Sequence, residues 1–409
     1  MKRYGLILLA VLGACSGATD GVSVLEAAQS LQLNDVSILF PLASSEAEFH
    51  DGYLTADAPG EHGPLLPSAL YDAVGHIAGS TITASSGGPT PDGAGGEAAY
   101  ADLRVVAVRV DPCFAALAPD PHGGGCTNQL RVIFQPLMTT DGKAKAFDSA
   151  LHVFYSLSRE EVIAFAQAMA ALRIAHASPG ERLGALAPHP LMIREGLTGP
   201  TAMGARALVT EYATSDRITR IAKMSLINSQ FTWTFNGFEV SAVNPPRIAP
   251  MAMASLAPET SSQTFFRGFT DALKGQFSPP TESKDDLTPL ANADTATTLD
   301  ASQRSAAFGA LLRIENPARH SPNTIDCASC HVATAVQKLV AEPVYALYAA
   351  GNSNAYASDG KSVLPSEMTA TVPPDNVLSV HAFSYATAAS ISQRTVNETA
   401  AVVEYLNAL

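Results

Sequence analysis

Short segments rich in β-branched and aromatic residues recur in the first two thirds of the chain, and their apolar pattern predicts β-strands. After the third long segment the pattern changes. Ser158 and Glu161 have the spacing of a capping box, and Val162, Phe165 and Met169 then recur at helical spacing. A second helix is predicted near residues 201–214. The predicted strands are Asp35–Leu42, Leu103–Val110, Leu130–Leu137, Leu151–Leu157, 217–227 and 230–242. This mixture predicts an α+β fold for residues 31–277.

The last 110 residues have a helical pattern instead. Apolar positions at helical spacing predict a helix over Ser302–Ile314, which Pro317 ends. The chain closes with a second amphipathic segment, in which Thr395 and Glu398 have the spacing of another capping box. Residues 278–299 are rich in Pro, Thr and Asp, as linkers often are. We therefore predict an α+β unit of unassigned role, a linker at 278–299, and a small all-α unit over 300–409.

The amino terminus has the pattern of an export signal. Lys2 and Arg3 precede an apolar run, Leu6–Leu12, that is too short to span a membrane. The end of the run, "LGAC", resembles the lipobox of bacterial lipoproteins. That resemblance implies that residues 1–14 are removed, that Cys15 is lipidated, and that residues 15–30 form a tether. A following residue other than Asp implies the outer membrane, on its periplasmic or surface face. The alternative is an ordinary export signal with a chance cysteine.

The charge of the chain narrows the class of partner. The formal net charge is -13 at pH 7. Proteins that bind nucleic acid need basic patches, so this balance argues against such a partner. An acidic surface is suited to a protein partner with a basic docking face. No segment after the signal reaches the ~18 apolar residues of a spanning helix, so contact with a membrane is predicted through the lipid alone.

The chain has five cysteines, and export decides how they are interpreted. Cys113 and Cys126 flank a loop rich in Pro and Gly. In an oxidising compartment such a pair predicts a disulfide, which stabilises the fold by about 3 kcal/mol for a ring of this size. The alternative is a zinc site that they share with Cys327 and Cys330.

The stretch "CASCH", Cys327 to His331, fits three chemistries: a redox disulfide, half of a zinc site, or a covalent haem. A redox disulfide leaves the histidine unexplained, and a zinc site needs further ligands. The spacing C-x-x-C-H is the attachment signature of haem c. Two thiols on one helical turn add to the two vinyl groups of the haem, and the histidine then faces the iron. We therefore predict one covalent haem c, bound by Cys327, Cys330 and His331.

A helix, the C-x-x-C-H motif and a final helix that carries Tyr405 together resemble the small c-type cytochromes. The resemblance covers about a quarter of the chain, and only the motif is specific. One departure is the segment "NPARHSPNTID", which separates the first helix from the motif. The resemblance implies that His331 is the proximal ligand and that a Met or a second His is the distal ligand. Met368 and His381 are equal candidates, and His320 is a third.

These observations favour a mono-haem electron carrier on a lipid-anchored, exported protein with a redox partner. Two alternatives stay open. One is a haem enzyme similar to the peroxidases, although bacterial c-type peroxidases generally carry two haem motifs and this chain has one. The other is a binding or assembly lipoprotein in which the large first unit carries the function.

Overall fold

A computed structural model of the chain describes thirteen ranges: 30–77, 81–85, 88–92, 97–113, 127–227, 232–251, 262–268, 276–278, 285–291, 293–321, 324–372, 380–386 and 388–409. The predicted export signal, Cys15 and Cys126 lie outside these ranges. Within them, no helix combines the length and the apolar character needed to cross a membrane.

The centre of the fold is an antiparallel sheet, to which the described residues contribute ten strands. The strand order is β1-β6-β7-β9-β10-β11-β13-β14, with β8 paired to β7 and β12 paired to β11. The strands of this sheet are β1 Ser37–Leu39, β6 Leu103–Asp111, β7 Gln129–Thr140, β8 Lys143–Ala146, β9 Ala150–Ser156, β10 Ile218–Ile227, β11 Thr232–Val243, β12 Pro246–Pro250, β13 Ser262–Gly268 and β14 Gln276–Ser278. Two small hairpins pair β2 Pro59–Gly60 with β3 Gly63–Pro64 and β4 Thr81–Ser85 with β5 Gly88–Asp92.

Along the chain, helices precede, separate and follow the strands of this sheet, so the fold is α+β, as the pattern predicts. They are α1 Leu33–Val36, α2 Glu46–Asp51, α3 Ser68–Val74, α4 Arg159–His176, α5 Pro190–Glu195, α6 Pro200–Tyr212, α7 Thr288–Ala291, α8 Ala293–Thr297, α9 Ala301–Ile314, α10 Cys327–Val336, α11 Glu342–Tyr345 and α12 Gln393–Asn407. The predicted capping box of α4 is confirmed, because Ser158 accepts from the Glu161 amide and Glu161 accepts from the Ser158 amide.

Three local predictions differ from the structure. Residues 35–42 were expected as one strand, but α1 occupies their start because Asp35 accepts from the Gln32 amide and pairs with Arg173. The predicted second capping box is wrong: Ser392 caps α12, and Glu398 lies inside the helix, where it pairs with Arg394. Residues 300–409 also contain a short hairpin, β15 Phe383–Tyr385 with β16 Ala389–Ile391, which the helical pattern did not predict.

One face of the large sheet meets the C-terminal residues. Register places Arg109, Arg131 and Phe154 in one row across the sheet, and Ile133 with His152 in a second row. Strand pairing places Met224 opposite Phe235 on the same face. We call this surface the motif face and define it by these side chains.

The C-terminal residues pack on the motif face through polar as well as apolar contacts. Arg109 bonds to Glu398 of α12, and the Ser37 hydroxyl lies 2.8 Å from that of Thr399. Buried apolar residues of the sheet and of the C-terminal helices belong to one continuous core. The predicted linker contains α7 and α8, and its Leu287 and Leu290 are buried in that core.

Candidate functional site

The motif residues occupy the first turns of α10. The Asp326 side chain caps this helix by accepting from the Ser329 amide at 2.8 Å. A negative side chain at a helix amino terminus also complements the helix dipole. Because the helix begins at Cys327, the two cysteines lie one turn apart and His331 follows directly. The local sequence therefore fixes the three side chains on one rigid element.

Cys327 and Cys330 are free thiols, half-buried against the core. Burial raises the pKa of Cys327 to about 12 and that of Cys330 to about 11. Thiols that exchange disulfides have a pKa lowered below the ordinary value. The pKa values of these two thiols are therefore shifted in the direction opposite to that of reactive redox cysteines.

His331 has the geometry of a prepared metal ligand. Its Nδ1–H donates to the Val380 carbonyl at 2.6 Å, and its ring lies against Phe235 with centroids 4.8 Å apart. Burial lowers the pKa of His331 to about 4, so the ring is neutral at pH 7. With the proton on Nδ1, the lone pair is on Nε2, which is the form of histidine that binds metals.

His381 is engaged at both ring nitrogens. Its Nε2–H donates to Asp148 Oδ1 at 2.6 Å, and Ser384 Oγ lies 2.7 Å from Nδ1. The Trp233 ring packs edge-on against the imidazole at 5.9 Å between centroids. Iron ligation by His381 would require one of these hydrogen bonds to break inside the core.

Asp148, His381 and Ser384 have the residue types of a hydrolase triad, but they are not placed as one. They are 3%, 2% and 1% exposed, respectively. A nucleophilic serine must meet its substrate, and this hydroxyl faces the interior. The three groups are instead a buried hydrogen-bond chain of the kind that fixes one packing arrangement.

The other predicted ligands have different surroundings. His320 bonds to Asp285 through Nε2 at 2.8 Å and to Thr324 through Nδ1, so both of its nitrogens are also engaged. Met368 follows a 3₁₀ turn over Pro365–Glu367 and packs half-buried against the core. Arg182 holds that turn by an ion pair with Glu367 at 2.7 Å. In the ranges described, no three His, Cys, Asp or Glu side chains converge as a metal site.

A second buried acid lies behind the motif helix. Glu315 directly follows α9 and is 1% exposed. Thr334 of α10 donates to its Oε1 at 2.7 Å, and Oε2 has no partner within the described part of the chain. Burial raises the pKa of Glu315 to about 7. A carboxyl group with a raised pKa stabilises the fold most below its unfolded value and loses that contribution as the pH rises through its folded value.

Glu315→Gln is therefore expected to stabilise the protein above neutral pH. Between pH 5 and 8 the wild type should lose about 3 kcal/mol of unfolding free energy through this group, since each pKa unit is worth about 1.4 kcal/mol. The glutamine variant should lose less over the same interval. Urea unfolding of both proteins at pH 5 and pH 8 measures the difference, and an equal loss in the two proteins would rule out this role.

One of the two cysteines of the predicted disulfide lies in the described part of the chain. Cys113, two residues after β6, is disulfide-bonded, and its predicted partner Cys126 lies outside the described residues.

Sequence reasoning missed the side chains that the sheet brings to the motif. Asp148, Phe235 and Gln135 are each far from the motif in sequence, and each contacts residues 331–385. The position of Gly237 also differs from what its local sequence suggests. It lies inside β11, although Asn236-Gly237 is typical of hairpins, and Met251 packs where a Cβ would be. A sequence signal for this face lies in β7, where Gln129, Arg131 and Gln135 occupy alternate positions of a largely apolar strand and so mark a face that is not purely apolar core.

No model of a known protein family, no curated protein and no solved structure matches the chain.

Proposed function

We propose that this protein is a mono-haem c-type cytochrome that transfers electrons. In this proposal Cys327 and Cys330 hold the haem by thioether bonds and His331 binds its iron. The group itself supplies one-electron chemistry, and the protein supplies the axial ligand, burial and a docking surface.

The observation that carries the proposal is the state of the three motif side chains. Two free thiols lie one helical turn apart, and a histidine that donates from Nδ1 to a backbone carbonyl follows them. Zinc would require thiolates that converge on one point with the histidine. A haem requires no such convergence, because its vinyl carbons, and not its iron, receive the sulfur atoms. The donor set fits the haem better than it fits either alternative.

The contacts of His331 also bear on the distal ligand. An iron bound at Nε2 would lie on the opposite side of the imidazole from the Val380 carbonyl. His381 directly follows Val380 and has both nitrogens engaged. Met368 carries a thioether with no proton to give up, in a loop beside the core. We therefore favour Met368, which would also raise the reduction potential relative to a second histidine.

Met368→Ala is expected to convert a low-spin haem to a high-spin, carbon-monoxide-reactive one, because it opens the sixth position. His381→Ala should keep the low-spin spectrum, although it removes a buried hydrogen bond. Ferric and dithionite-reduced absorption spectra of both variants, matured with haem-attachment machinery in a periplasm, make the comparison. The opposite pattern would transfer the role to His381, and a low-spin spectrum in both variants would point to another residue.

Wild-type protein matured in the same way distinguishes a carrier from a haem enzyme. In a carrier, protein side chains fill both of the iron positions that the porphyrin leaves open, so the reduced wild type should react slowly with carbon monoxide and with peroxide. Fast reaction with both would favour the peroxidase-like alternative.

We propose that the carrier is exported and lipid-anchored through Cys15, and that residues 300–409 are a variant of the cytochrome c-like domain. The acidic balance of the chain suits a redox partner with a basic docking face. Electron transfer to such a partner should slow as salt is added, because screening weakens the attraction.

A further inference from the structure

The sheet reaches the back of His331 through the segment Val380–Ala386. The Val380 carbonyl accepts the His331 proton, and the next side chain along the chain, His381, is bonded to Asp148, two residues before β9. Asp148 and His331 are therefore joined by one residue of backbone and two short hydrogen bonds. This connection links the large sheet to the motif histidine.

The segment is held at several further points, at the His381 carbonyl and at residues that follow it. The Ser390 hydroxyl donates to the His381 carbonyl at 2.7 Å, and the Ser392 amide donates to the Ala382 carbonyl at 2.8 Å. Gln135 of β7 bonds to both the amide and the carbonyl of Tyr385, each at 2.8 Å. The Val380 side chain is buried in the core, and His381, the next residue, makes side-chain hydrogen bonds to Asp148 and Ser384.

The orientation of His381 is itself fixed from three sides. Asp148 accepts from Nε2, Ser384 bonds Nδ1, and Trp233 packs on the ring edge. When the imidazole is neutral, the Ser384 hydroxyl donates to Nδ1. Each atom in these two hydrogen bonds then acts either as a donor or as an acceptor. A ring held in this way cannot rotate without leaving a buried carboxylate unpaired, which is costly.

We propose that Asp148, acting through His381, is a positioning residue for His331. It holds the Val380 carbonyl where that oxygen accepts the Nδ1 proton, and so keeps Nε2 as the free nitrogen. The inference deepens the proposed function and rests on it for the consequence at the iron. It also assigns a role to the large sheet, which would serve as the rigid support of the proximal ligand.

The consequence at the iron follows from the strength of the hydrogen bond. A histidine that donates strongly from Nδ1 is a more basic ligand at Nε2 and favours the oxidised metal. Loosening the Val380 carbonyl weakens that donation. The potential of the haem should then rise, while the spectrum stays that of a haem with His331 bound.

The test uses the full-length, matured protein with ¹⁵N-labelled histidine, as wild type and as Asp148→Asn. In the reduced state the His331 Nδ1–H should exchange with solvent about tenfold faster in the variant, the factor expected for one weakened hydrogen bond, and the potential should rise. Ser384→Ala removes only one hydroxyl from the Asp148–His381–Ser384 hydrogen-bond chain. It should raise both the exchange rate and the potential, but by less than Asp148→Asn does.

Asp35→Asn is the matched control. Asp35 is also a buried acid, but it pairs with Arg173 of α4, away from the motif. This variant should lose stability without a change in His331 exchange or in potential. If Asp148→Asn does not fold, Ser384→Ala carries the test alone.

Unchanged exchange and potential in a folded Asp148→Asn or Ser384→Ala would overturn the inference. A wild type that carries no haem would overturn the proposed function instead. The nitrogen shifts of His331 would still report its tautomer on that protein, so the two failures are distinguishable.

Discussion

The double variant Cys327→Ser/Cys330→Ser is expected to lose all covalently bound haem. A serine oxygen does not replace the thiol in the addition to a vinyl group, so no thioether bond forms at either position. Each single variant keeps one bond and should retain haem at a reduced yield. Haem that stays with the polypeptide after acidified-acetone extraction, measured per milligram of protein, gives the result.

Cys113→Ser is the matched control for this experiment. Cys113 is disulfide-bonded and lies after β6, outside the motif. Its loss should lower stability and leave one haem on each chain. Equal loss of haem in the control and in the double variant would mean that folding, and not attachment chemistry, sets the yield. Undiminished haem in the double variant would contradict the assignment.

Glu398→Ala is expected to destabilise the protein by about 3–5 kcal/mol, the usual result of removing one partner from a buried ion pair. Glu398 accepts from Arg109 of the sheet at 3.0 Å and contacts Arg394 of its own helix at 2.6 Å. The two arginines are 3% and 2% exposed, so neither finds water when the acid is removed. The variant should detach α12 from the motif face.

The pH dependence of stability is an independent test of the ion pairs of Glu398. Burial would raise the pKa of Glu398, but Arg394 and Arg109 lower it to about 2. A carboxyl group with a lowered pKa contributes stability above its unfolded value, and that contribution is lost as the pH falls. Wild-type protein should therefore lose about 3 kcal/mol through this group between pH 5 and pH 2. Glu398→Gln should lose less over that interval.

Glu404→Ala is the control on the same helix. Glu404 accepts from the Tyr356 hydroxyl and the Asp359 amide, which are neutral donors, at 2.8 Å each. Its loss should cost about 1 kcal/mol. Denaturant unfolding at neutral pH ranks the three proteins. If Glu398→Ala is no less stable than Glu404→Ala, the ion pair does not hold the sheet and the last helix together.

Much of the secondary structure could be predicted because its signals are local. The capping box at Ser158 and the apolar face of Val162, Phe165 and Met169 define α4 correctly, and all three side chains are buried. The three long strands of the first half were predicted to within a few residues. The start of the motif helix also depends on a local signal, because Asp326 caps it directly before Cys327.

Tertiary contacts account for what was missed. Thr395 and Glu398 have the spacing of a capping box, but the Ser392 side chain caps the helix by accepting from the Thr395 amide, and Glu398 pairs with Arg109, 289 positions away. His381 was an even candidate with Met368 until its bonds to Asp148 and Ser384 were known. Sequence spacing predicts the ligand types of this motif, whereas the contacts of the sheet decide which candidates are free to bind.

The most direct test of the covalent haem is the mass of one peptide. Trypsin cuts after Arg319 and Lys338, so both motif cysteines lie on the peptide His320–Lys338. In protein matured in a periplasm with haem-attachment machinery, this peptide should carry the mass of one haem and absorb visible light. The unmodified mass, or that mass less two hydrogens for a Cys327–Cys330 disulfide, would contradict the account.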